Sequence, residues 1–224
     1  VGLKIGTPWF DYRRDRWGEH LAKLWKALND EFTIADHDAC PTSIYIRSGP
    51  WRLEWVTALA KSIIHYGEAL DEAFPAIAAA VYGNRWNDLL KGTGKREIFQ
   101  MIDQKSGRME DLTRLIDGRR GPGQDLESDR WPRWMFHELD SPGLRSFGAV
   151  KYGNFVTPKD IFHLQRFVRL TVAFVGAALR NANALRPDDE HAWEGYFSFI
   201  HDGLKSIGTA EEDCKRLLST IPRP

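Results

Sequence analysis

An arginine and a histidine a few residues apart can handle phosphoryl chemistry without a metal. The guanidinium steadies charge that develops on phosphate oxygens, and the imidazole moves a proton near neutral pH. The chain offers this pairing twice: Arg186 and His191 with four residues between them, and Arg14 and His20 with five. Arg186 and His191 are the candidate catalytic residues. Two rows of cations at helical spacing point to a related chemistry, the neutralisation of phosphates. One row is Arg13, Arg16, His20 and Lys23; the other is Lys159, His163, Arg166, Arg169 and Arg180, with Ala173 and Gly176 between its last members. These nine residues are the candidate polyanion-binding set. The plainer reading is a solvated face, or pairing with acidic residues such as Glu68, Asp71 and Glu72.

Other groupings carry less. Asp36, His37, Asp38 and Cys40 form a possible ligand list in a turn-rich stretch, but no HExxH, HxxxH or Cys/His cluster accompanies them. Asp160/His163 and Asp188/His191 each have a carboxylate three residues before a histidine, the spacing that metal-binding bundles use. If their helices are antiparallel, the two pairs start at opposite ends of a helix on the order of 40 Å long. Capping of helix starts explains the aspartates better, so neither metal nor cofactor is expected. Gly92-Thr93-Gly94-Lys95 lacks the four-residue spacing and the Ser or Thr after the lysine that a phosphate loop needs, and reads as a turn. No G-x-S-x-G elbow supports a serine hydrolase. Among nine tryptophans, Trp17, Trp25, Trp51, Trp55 and Trp193 fall on apolar stripes and are expected in the core, whereas Trp9, Trp131 and Trp134 are expected at the surface.

Composition sets the frame for these residues. In 224 residues, 31 Lys+Arg balance 31 Asp+Glu, and 42% hydrophobic with 12% aromatic residues suffices for a sizeable core. A disordered chain or a polybasic tail is excluded, and any polyanion site must be local. The densest apolar run, Leu170 to Leu179, is bounded by Arg169 and Arg180 and falls short of the ~20 residues that cross a bilayer. The first residues have no signal-peptide pattern. Cys40 and Cys214 share no motif, which suggests a reducing compartment; cytoplasm is the expected location.

The elements that must hold these groups are helical. Periodicity and caps predict helices over about 8–31, 51–73, 76–90, 158–185, 188–207 and 210–220, with shorter ones near 96–104, 109–117 and 131–138. Thr7-Pro8, Thr157-Pro158 and Thr209-x-x-Glu212 are read as helix starts. Extended character is confined to Ile44-Tyr45-Ile46 and a small hairpin within 147–155. The stretch 118–129, rich in Gly, Pro and charge, is expected to be a mobile loop. The predicted fold is a single all-α domain over 1–224, an irregular multi-helix bundle around a long buried C-terminal helix (158–185), with little or no β-structure.

The Arg186-x4-His191 spacing resembles that of HEPN-type ribonucleases, which are helical. The likeness is limited to this spacing, and Pro187 stands where such motifs place a polar residue. What it implies is a metal-independent ribonuclease with Arg186 and His191 as its working pair. The leading expectation is broader: a helical binding protein for a protein or nucleic-acid partner, with no membrane. A nucleic-acid-associated protein of HEPN-like type is the alternative, and a small-ligand sensor with an aromatic pocket is the third.

Overall fold

The computed structural model describes residues 6–14, 16–32, 42–73, 93–117, 134–136, 139, 148–155, 157–181, 185–187 and 193–221. Among them, in chain order, lie helix α1 (Trp17–Glu31), strand β1 (Thr42–Ile46), helices α2 (Leu53–Ala73), α3 (Lys95–Lys105) and α4 (Met109–Asp117), strands β2 (Trp134–Met135) and β3 (Val150–Phe155), and helices α5 (Ile161–Arg180), α6 (Trp193–Ser206) and α7 (Glu211–Ser219). The expected helix over 76–90 and the expected mobile loop over 118–129 lie outside the described residues.

The molecule is mostly helical, but it carries one small sheet. Its three strands are antiparallel in the order β1-β3-β2, with Ile44 opposite Tyr152, Tyr45 opposite Lys151 and Trp134 opposite Tyr152. The expected hairpin within 147–155 is therefore a single central strand paired on both sides by distant segments. The expected helix over 131–138 is also corrected, because Trp134–Met135 is β2. Trp134, Met135 and Phe136 are all buried, and three successive buried residues suit a strand covered on both faces better than an amphipathic helix. Trp134, expected at the surface, is 2% exposed. Its indole stacks on Tyr152 (centroids 4.3 Å apart) and meets Phe174 of α5 (5.6 Å), so the sheet lays one face on the central helix.

That central helix is shorter than predicted. Asp160, not Thr157, caps it: its carboxylate accepts from the backbone N–H of His163 at 2.8 Å. The helix closes at Asn181, whose N–H donates to Ala177 O. Phe167, Leu170, Thr171, Ala173, Phe174, Val175, Ala177 and Ala178 are buried along it. By length and composition alone this 20-residue helix could cross a membrane, contrary to the reading from its densest run. Here its apolar residues make the core, joined by Val56, Leu59, Ile63 and Ile64 of α2, Ile98 and Ile102 of α3, Leu112 and Ile116 of α4, and Cys214 and Leu217 of α7.

The crossing of α5 with α6 is made by small residues. A methyl group built on Gly203 would sit 2.0 Å from Ala173 O, and one on Gly176 would sit 2.7 Å from Ser206 Oγ, so the two backbones approach as closely as glycine allows. Gly208, at φ 83°, then ends the helical path, with Thr209 N–H returning to Leu204 O. The predicted capping box at Thr209 does not form; α7 starts at Glu211 with Ala210 in the N-cap position and no side-chain cap. At the other end of the chain, residues 6–14 are not helical as expected. The Asp11 carboxylate accepts from the N–H groups of Arg13 (3.0 Å) and Arg14 (3.2 Å), a local turn that competes with the helix and delays α1 to Trp17.

Candidate polyanion-binding face

The helices that carry the two basic rows, whose nearest members Lys23 and Lys159 are 136 residues apart in sequence, touch each other. Gln165 Nε2 donates to Gly18 O at 2.9 Å, and the Arg169 guanidinium lies 5.8 Å from the centre of the Trp17 ring. These contacts tie the first turn of α1 to the first half of α5. Sequence reasoning gave Gln165 no role, and its spacing relative to the arginines carries no signal of one.

Within this face the cations divide by what they touch. Arg13 Nη2 donates to Ser206 O at 2.8 Å, and Arg166 Nη2 donates to Thr220 O at 2.7 Å. Both therefore serve carbonyls at the carboxyl ends of helices, α6 and α7, where partial negative charge collects. Burial pushes the Arg166 guanidinium below its ordinary pKa, while Tyr196 pulls the other way. Arg169 rests on Trp17, which also stacks on Tyr12 (5.1 Å). Burial pushes the Tyr12 hydroxyl up to about 12, against the opposing pull of Arg169 and a hydrogen bond with the Thr209 side chain. Arg166 and Arg169 are thus part of the packing between α1, α5 and the ends of α6 and α7, and are not the freely projecting pair that an isolated helix would present.

The remaining members of the rows are exposed or half-exposed. Arg16 is exposed and lies 3.5 Å from Glu19, a pair open to water on both sides. His20 is exposed and stacks on Phe10 at 5.5 Å. Lys23 and Lys159 are exposed and make no ion pair among the described residues. His163 Nδ1 stands 2.9 Å from Asp160 Oδ2. Asp160 is held below the usual carboxylate range, chiefly by the His163 backbone N–H and further by the His163 ring. Arg180 stands apart, eleven residues beyond Arg169 and about 16 Å further along α5. The side chains of Glu68, Asp71 and Glu72, the acidic partners expected for these rows, lie outside the described residues. Where partners are described for Arg13 and Arg166 they are carbonyls, which accept hydrogen bonds without cancelling net charge.

Arg186 is exposed, and His191 lies outside the described residues. Of the second spacing, Arg14 leans on Asp11 at 3.7 Å while His20 stacks on Phe10. Asp36 to Cys40 and Asp188 are likewise outside the described residues, and among those described no three His, Cys, Asp or Glu side chains gather as a metal site. No known protein family, curated protein or solved structure matches the chain.

Proposed function

We propose that this chain works by binding, and that the partner is single-stranded RNA held on the face where α1 meets α5. The observation that carries the reading is the contact, through Gln165–Gly18 and Arg169–Trp17, between the two helices that bear the basic rows in a protein of zero formal charge. Two further features favour a nucleic acid over a simple anion. Phe162 is 76% exposed, one residue before His163 and four before Arg166 on the same helix, and Trp9 is 49% exposed in the segment that carries Arg13. Exposed aromatic faces beside cations are what bases stack on, independently of sequence. The proposal stops at binding, since cleavage would need His191 beside Arg186.

The structure also dictates how to test it. Arg166 and Arg169 are poor probes because their loss disturbs packing. Lys23 and Lys159 are the clean ones. Fluorescence anisotropy with a labelled RNA of about a dozen nucleotides at low salt is expected to give saturable binding. In Lys23→Glu/Lys159→Glu it should weaken at least about tenfold with the melting temperature retained, because each reversed charge removes a phosphate contact and adds repulsion. Absence of binding at low salt, or equal binding by this variant, refutes the proposal.

A further inference from the structure

A second site stands on separate observations. The turn between β1 and α2 overhangs a cleft of about 460 Å³ lined by Arg47, Gly49, Pro50, Trp51, Met109, Leu139 and Gly148. None of these belongs to the α1–α5 face. Its apolar wall is fixed: Trp51 Nε1 donates to Gly148 O at 3.0 Å, across 97 residues of sequence, and Trp51, Met109 and Leu139 all pack against the core. Its backbone rim is bare. Gly49 (φ 84°) and Gly148 (φ 54°) take left-handed conformations that favour glycine, and a methyl group on either would meet nothing within 4 Å. The volume falls in the range of small-molecule sites, on the order of 300–1,000 Å³.

Among the described residues the charge of the lining is one-sided: Arg47 is exposed and makes no ion pair, and no described carboxylate lines the cleft. Its neighbour along the turn, Arg52, is occupied, lying 5.0 Å from the Trp55 ring and 3.6 Å from Glu54. An aromatic and aliphatic wall with one available guanidinium suits a flat apolar body carrying a single negative group. The guanidinium fork matches a carboxylate or sulfonate, and one cation is too little for a polyanion.

We propose that this cleft binds an amphipathic organic monoanion, with Arg47 holding the anionic group and Trp51 stacking on the apolar body. The probe is anilinonaphthalenesulfonate, whose emission rises and shifts to the blue on entering an apolar site, titrated into the intact chain. Saturable binding to one site is expected. Arg47→Gln should weaken it about tenfold and Arg47→Glu further, while Lys215→Glu, which reverses an exposed charge on α7, should leave it unchanged. Met109→Trp should fill the cleft and abolish binding, with a cooperative melt showing that the fold is retained. Uncharged phenylnaphthylamine should bind at least about tenfold more weakly than the sulfonate. The proposal is overturned if the Arg47 variants bind the sulfonate as the parent does, if the neutral probe binds equally well, or if the signal never saturates.

Discussion

Replacing Gly203 by alanine sets two well-understood effects against each other. In a solvent-exposed helix interior the change stabilises by about 1 kcal/mol, because alanine loses less conformational entropy on folding. At Gly203 the new methyl would lie 2.0 Å from Ala173 O, where an ordinary contact begins at 3.4 Å. The obstacle is backbone, so it cannot rotate away; α5 and α6 must separate by roughly 1.4 Å, the difference of those distances. A gap of about 1 Å forfeits up to half of each dispersion contact across a crossing, and overpacking of this kind costs about 3 kcal/mol at the upper end of the usual range. The net is a loss of about 2 kcal/mol, or a melting temperature lower by roughly 4–8 °C for a chain of this size. Gly67→Ala is the internal control: Gly67 sits inside α2 with nothing within 4 Å of its would-be methyl, so it should gain up to about 1 kcal/mol. Both variants can be read in reversible urea or thermal melts against the parent. The packing argument is refuted if Gly203→Ala melts at or above the parent temperature.

Three other perturbations follow from the same contacts. Arg166→Met keeps the aliphatic stem but removes the bond to Thr220 O, and should cost about 1–2 kcal/mol with faster amide exchange in the last turn of α7, whereas Arg180→Ala at an exposed site should stay within about 0.5 kcal/mol of the parent. Asp160→Ala removes the α5 cap and should cost about 1 kcal/mol at neutral pH. Because the Asp160 carboxyl is held low in the folded state, this contribution is full above the ordinary carboxylate pKa and lost as pH falls through the folded value, so parent and variant should converge in acid melts. Tyr12 carries the opposite sign. Its hydroxyl is raised from 10.0 to about 12, so the unfolded chain releases the proton first and stability should decline over that alkaline window, a decline that Tyr12→Phe should lessen.

Much of the helical framework was legible because its apolar residues repeat at helical spacing over long stretches. The start of α2, the extents of α3 and α4 and the burial of Phe174 and Val175 all follow from that signal. What was not legible depends on partners far away in sequence. Trp134-Met135 is too short a run for periodicity to distinguish strand from helix, and only Tyr152 and Phe174 make it a strand of the core. The turn at Asp11 defeats a plausible helix start through one carboxylate and two N–H groups. The candidate face was half visible. Cation spacing named its residues, but not that α1 and α5 would touch through Gln165–Gly18 and Arg169–Trp17, nor that Arg13 and Arg166 would turn to the carbonyls of Ser206 and Thr220.

The most direct test of RNA binding on this face is the salt dependence of affinity. For a single strand the logarithm of the binding constant falls with the logarithm of salt by about 0.7 per phosphate contacted. The parent should show a slope reflecting several contacts, and Lys23→Ala/Lys159→Ala should reduce it by about 1.4, two contacts' worth, with the fold intact. An unchanged slope in this variant, or affinity that does not respond to salt, would contradict the account.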